Sequence, residues 1–120
     1  MESPECIGSR DIVKAFYSFH IGNDMKPSKK SLEKRARFLS ENLFKTLSKK
    51  NDSVFDYFTQ TNDYPIAFRV GACKTIDKTR TEFSVLIFWR TNEKNTQRDL
   101  KIETEKENSA WRIDRVSPAN

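Results

Sequence analysis

AFRVGACKTI at Ala67–Ile76, EFSVLIFWR at Glu82–Arg90, RDLKIETE at Arg98–Glu105 and AWRIDRV at Ala110–Val116 follow one another with only short polar breaks, and this run decides the fold. In the second segment Phe83, Val85, Ile87 and Trp89 share one face while Leu86 and Phe88 take the other. A strand apolar on both faces in its middle is a central strand. Leu100 and Ile102 alternate with Lys101, Glu103 and Glu105, and Trp111 and Ile113 alternate with Arg112 and Asp114, as in strands with one face in water. Asp77-Lys78-Thr79, Asn92–Thr96 and Asn108-Ser109 supply the turns. Gly71 marks a bulge that bends the first strand.

The half that precedes this run reads as helix. Ser9 with Asp11 resembles an N-cap followed by an acid in the first turn, and Ile12, Val13, Phe16, Tyr17 and His20 recur at helical spacing. Gly22 and Asn23 allow a left-handed exit, and Asp24–Ser28 with Pro27 forms a loop. Ser28 or Ser31 starts a second helix carrying Leu32, Ala36 and Leu39, which Ser40-Glu41 with Leu43, Phe44 and Leu47 either continues or restarts, up to Lys49–Asp52. A short helical piece over Ser53–Thr59 leads through a loop into the sheet. Helices first and strands second predict an α+β domain, with N-terminal helices packed on a strongly curved four-stranded antiparallel meander. Residues 1–8 are expected as a flexible N-terminus and residues 9–117 as one domain.

A chain of 120 residues supports a single core, which nine Phe, three Tyr and two Trp make aromatic-rich. No run approaches the roughly 20 apolar residues of a membrane span, and the first residues form no export signal. The net charge of +5 sits in the helical half, where residues 1–50 hold eleven Lys/Arg against six Asp/Glu. Lys29, Lys30, Lys34 and Arg35 lie in its densest part, as a contact surface for an acidic partner or as a solvated helix face. Aromatic residues do not interleave with these cations, which disfavours nucleic acid as the partner. Cys6 and Cys73 are either two free thiols or a single bridge from the N-terminus to the sheet.

Acid–base chemistry would need a titratable group in an apolar pocket. His20, the only histidine, and Asp56 beside Tyr57 are the candidates, weighed against a partly exposed helix end for the first and a surface carboxylate for the second. Arg69 and Arg90 border the most apolar strands, either as an anion-binding pair at one end of the sheet or as partners of Glu82 or Glu103. Trp89 and Trp111 either line a cavity or pack in the core. No motif links a nucleophile to His20, no His, Cys or carboxylate set repeats at metal-ligand spacing, and three glycines leave no phosphate-cradling loop. No cofactor is expected.

Phe16-Tyr17, Leu39-x3-Leu43, Tyr64-Pro65-x2-Phe68-Arg69-Val70-Gly71-x-Cys73, Val85-Leu86-x-Phe88-Trp89-Arg90, Gln97-Arg98 and Trp111-x-Ile113-Asp114 together resemble a group of small bacterial proteins. That group is domain of unknown function family 3828, within the nuclear-transport-factor-2-like superfamily. The resemblance covers most of residues 10–116. It implies a cone-shaped sheet wrapped around helices, a pocket at the wide end near Phe16, Tyr17, His20, Tyr57, Trp89 and Trp111, and an exported or lipid-anchored envelope protein. The leading expectation is a non-catalytic binding module of bacterial origin that holds a protein or small ligand at the cone mouth or sheet face. The alternatives are an isomerase- or hydratase-like enzyme using His20 or Asp56, and an immunity-type protein neutralising a toxin. Exposed sheet edges and faces also suit a homodimer.

Overall fold

The computed structural model describes residues 2–50, 55–90 and 95–119, and their side chains except those of residues 90, 95 and 96. Three helices, α1 (Pro4–His20), α2 (Lys29–Arg35) and α3 (Glu41–Ser48), precede four strands, β1 (Ala67–Asp77), β2 (Arg80–Arg90), β3 (Asn95–Glu107) and β4 (Ala110–Pro118). Every strand pairs antiparallel with its sequence neighbour, in the order β1-β2-β3-β4, so the sheet is the expected open, curled meander.

α1 begins six residues earlier than a cap at Ser9 suggests. Ser3 caps it by accepting from the Cys6 N–H at 3.1 Å, Pro4 occupies the first turn and Glu5 places an acid there. These three residues offer a stronger start than Ser9 does. Residues 4–8, expected in a flexible terminus, are therefore the opening turns of α1. Ser9 lies buried within the helix, donating to the Glu5 carbonyl at 2.7 Å and sitting 2.8 Å from the Thr81 hydroxyl. Cys6 is bonded to Cys73, and this bridge fastens the start of α1 to β1.

Ser28 caps α2 and Ser40 caps α3, so the second helical stretch restarts after a bend, with a 3-10 turn over Ala36–Phe38 between the two. The bend lets Leu39 bridge to Ile113, and the Ser40 N–H donates to the Ile113 carbonyl at 2.8 Å. Phe83, Val85, Ile87 and Trp89 of β2 face inward with Leu100, Ile102, Ile113 and Val116, and Val13, Phe16 and Tyr17 of α1 cover them. This packing fills the concave side of the sheet.

Two of the three register shifts among the described residues of the sheet bear on packing and side-chain aim. The β1–β2 register shifts between Val70 and Cys73, at Gly71, where an added Cβ would lie 3.3 Å from the Ser84 carbonyl oxygen. The other leaves Asp114 out of the β3–β4 ladder, since Glu103 pairs with Arg115 and Thr104 with Ile113. A bulge re-aims the side chain of its extra residue. Here the Asp114 carboxylate accepts from the Ser40 hydroxyl at 2.6 Å and from both terminal nitrogens of Arg80 at 2.9 and 3.1 Å. Asp114 thus ties α3, β2 and β4 together. Replacing it with alanine is expected to cost about 2 kcal/mol in urea unfolding, because hydrogen bonds to a charged acceptor are lost.

Candidate functional site

Over its described residues, the expected helix at Ser53–Thr59 is a turn closed by a bridge between Asp56 and Thr61, and residues 53 and 54 lie outside the described residues. The Asp56 carboxylate accepts from the Phe58 N–H at 3.1 Å and from the Thr59 hydroxyl at 2.7 Å. A side chain that binds its own following backbone competes with helix formation, which accounts for the turn.

That turn delivers Asp56 to the end of α1. His20 Nε2 lies 2.7 Å from Asp56 Oδ2, and Arg35 Nε donates to His20 Nδ1 at 2.6 Å. His20 is 1% exposed, Arg35 1% and Asp56 2%, so neither the exposed helix end nor the surface carboxylate weighed from the sequence is found. Arg35, grouped with the surface cations by its neighbours in sequence, is also corrected to a buried residue. An arginine Nε always carries hydrogen, so Nδ1 must accept and Nε2 must hold the proton that points at Asp56. The remaining Arg35 donors go to the Ser31 carbonyl at 3.0 Å, the Ser31 hydroxyl at 2.8 Å and the Asn23 carbonyl. Burial lowers the Arg35 pKa from its ordinary range, while Asp56 and then Asp24 oppose the shift. The His20 ring stacks on Phe16 with centroids 5.2 Å apart.

Above this buried chain lies a cleft of about 720 Å³ between α2, α3 and the 55–58 turn. Its apolar walls include Met25, Leu32, Phe44, Leu47, Tyr57 and Phe58, and Lys29 and Lys50 stand on it as exposed cations. No strand residue among those described lines it. The pocket expected at the cone mouth is therefore displaced toward the helices, for a steric reason. Phe16, Tyr17 and Phe58 occupy the hollow of the sheet. Of the six residues expected to line a pocket, His20 and Tyr57 do so. Trp89 is buried and donates its indole N–H to the Asp63 carbonyl, and Trp111 lies against Gly8, where an added Cβ would come within 2.9 Å of the indole nitrogen.

Tyr17 donates its hydroxyl to the Phe58 carbonyl at 2.7 Å, and Tyr57 accepts from the Val116 N–H at 2.9 Å, so the two phenols anchor the turn from below. Burial first, then the nearby Asp56 and Tyr57, holds the Tyr17 phenol well above its ordinary 10.0. The unfolded chain loses that proton near pH 10 while the folded chain keeps it, so this stability is intact below pH 10 and falls as pH rises beyond it. Tyr17→Phe is expected to cost about 1 kcal/mol at neutral pH, from the lost hydrogen bond, and to flatten the alkaline decline in chemical unfolding.

Of the two arginines weighed as a pair, the side chain of one is described. Arg69 lies opposite Leu86 and is exposed, on the face away from the core, while the Arg90 side chain lies outside the described residues. Glu82 lies near Lys101 and Glu103 near Arg115, each at 3.9 Å. Lys29, Lys30 and Lys34 are exposed on α2 as expected for a charged face. The described residues contain no group of three or more His, Cys, Asp or Glu that could hold a metal. No helix among them is long and apolar enough to cross a membrane.

No protein-family model matches the chain, and no curated protein matches it by sequence. Solved structures do match by shape. A potential transfer protein, TraM, described as Ntf2-like and from a Gram-positive conjugative plasmid, superposes with a TM-score of 0.60 at 9% identity, covering 98% of each chain. An Ntf2-like protein involved in plasmid conjugation gives 0.56 at 8% identity, with 98% of this chain spanning only 40% of that one. A chain of a type VI effector–immunity complex from Ralstonia pickettii gives 0.57 at 13% identity, covering 100% of this chain and 98% of the other. The molecule therefore has the nuclear-transport-factor-2-like fold. At these identities the likeness speaks for the fold alone, and the narrower resemblance to family 3828 receives no support.

Proposed function

We propose that the chain is a non-catalytic binding module that holds a protein or small ligand in the cleft between α2, α3 and the 55–58 turn. The observation that carries this reading is the saturation of the polar groups beneath the cleft. Both ring nitrogens of His20 are engaged inside the protein, and Asp56 accepts three hydrogen bonds, from His20, Phe58 and Thr59. A general base needs a lone pair within reach of the proton it removes, and His20 keeps none for a substrate. Among the described residues no buried side-chain nitrogen or oxygen lacks a partner. Such a floor is built to stay still, and the walls offer apolar surface for contact.

Proteins of the same fold described as a transfer protein and as part of an effector–immunity complex support a protein partner as one form of this binding. The Cys6–Cys73 bridge supports an oxidising compartment as its setting. Methyl and amide NMR shifts recorded during a fragment screen test the reading. Ligands are expected to perturb Met25, Leu32 and Leu47, whereas responses confined to the outer sheet face around Arg69 and Leu86 would contradict it.

A further inference from the structure

We propose that the cleft is a receptor for small amphipathic anions: an apolar ring or short chain ending in a carboxylate, sulfonate or similar group. This rests on the reading of the cleft as the binding site and adds the chemistry of its occupant.

Three observations converge on that chemistry. The cleft of about 720 Å³ falls in the range of small-ligand sites, about 300–1,000 Å³. Its walls supply apolar surface from both helices and the turn, through Leu32, Phe44, Leu47 and Phe58, which are buried or half-buried. Its charged groups are of unequal availability. Asp56 and Arg35 are committed to His20 and to each other's surroundings, and every Arg35 nitrogen donates within the protein. Among the described residues of the cleft the exposed charges are Lys29, Lys50, whose ammonium also lies 5.5 Å from the centre of the Tyr57 ring, and the carboxylate of Glu33. Lys26, Lys30 and Lys49 adjoin these in sequence and are also exposed, as is Asp24, which Lys34 faces at 3.8 Å, so cations outnumber carboxylates among the described residues around the opening.

A neutral polar ligand would need free directional hydrogen-bond partners, and the buried ones are used up. A cationic ligand would meet like charge. An apolar anion gains from both properties at once, burying its hydrophobic part against the walls while its charged end stays partly solvated beside the lysines.

Two naphthalene dyes separate the contributions in the full, oxidised chain: anionic 8-anilinonaphthalene-1-sulfonate and neutral N-phenyl-1-naphthylamine, followed by fluorescence. The anionic dye is expected to bind saturably, to be displaced by decanoate but not by decanol at equal concentration, and to weaken as salt rises. A Lys29→Glu, Lys50→Glu double variant, with an unchanged urea midpoint, is expected to lose about fivefold to tenfold in affinity for the anionic dye and to keep its affinity for the neutral one. Leu47→Asp should weaken both dyes, placing them in the cleft. Equal binding of both dyes without salt dependence would overturn the anion preference and leave the cleft as a binding site. Loss of neither dye in Leu47→Asp would remove the cleft itself. Retention on anionic-lipid vesicles without displacement by decanoate would point to a membrane surface and overturn the small-ligand assignment.

Discussion

Asp56→Ala is expected to destabilise the fold by about 3–5 kcal/mol, measured as a drop in urea midpoint at unchanged slope. The substitution removes the acceptor for three donors at once, His20 Nε2–H, the Thr59 hydroxyl and the Phe58 N–H. It also takes from the buried Arg35 cation the larger of the two carboxylate influences on it, leaving that of Asp24. Unsatisfied buried groups cost more than the bonds themselves contributed, so the loss should far exceed that of an ordinary surface carboxylate. His20→Ala should fall in the same range, and the Asp56, His20 double variant should cost less than the two singles combined. Single variants each costing under about 0.5 kcal/mol would show that the chain of hydrogen bonds does not hold the turn, and that Asp56 and His20 are free for other work.

Breaking the Cys6–Cys73 bridge is the other large effect. The bridge spans 67 residues and joins the first turn of α1 to β1 just past the Gly71 bulge. Chain-entropy reasoning gives about 4 kcal/mol for closing a loop of this length in the unfolded state. Cys6→Ser, Cys73→Ser, or reduction of the intact chain, should each lower the unfolding free energy by roughly that amount. Native-like circular dichroism is expected to persist, since Val13, Phe16 and Tyr17 still hold α1 on the sheet. Titration of the untreated protein with a thiol reagent should find no free thiol, whereas two reactive thiols and no effect of reductant would contradict the bridge.

The meander was legible because period-two alternation in β2, β3 and β4 and the polar turns between them depend on neighbours in sequence. Trp89 and Ile113 also announced their burial in this way. The cleft was not legible, because it is made by distance in sequence. His20, Arg35 and Asp56 come from α1, α2 and a turn, and each alone looks like a helix end, a surface cation and an exposed acid. His20 and Asp56 are the acid–base candidates of the sequence, and they do meet, within a buried chain of hydrogen bonds that also includes Arg35. Leu32, Phe44 and Leu47 stand in the sequence only as apolar positions of the second helical stretch. They are only half-buried because they face the cleft, and helical periodicity does not distinguish a cavity wall from a packed interior. The helix start at Pro4 could have been found from Ser3-Pro4-Glu5, a cap, a first-turn proline and an acid in direct succession.

A nitrogen-15 spectrum of the single histidine, recorded before and after saturating the cleft with 8-anilinonaphthalene-1-sulfonate, probes most directly whether the floor is fixed. One protonated Nε2, one unprotonated Nδ1, slow exchange of the Nε2 proton with water, and the same tautomer in both states are the expected result. Tautomers in rapid exchange, or a proton that moves to Nδ1 when the dye binds, would mean that His20 is open to chemistry and that the site does more than bind.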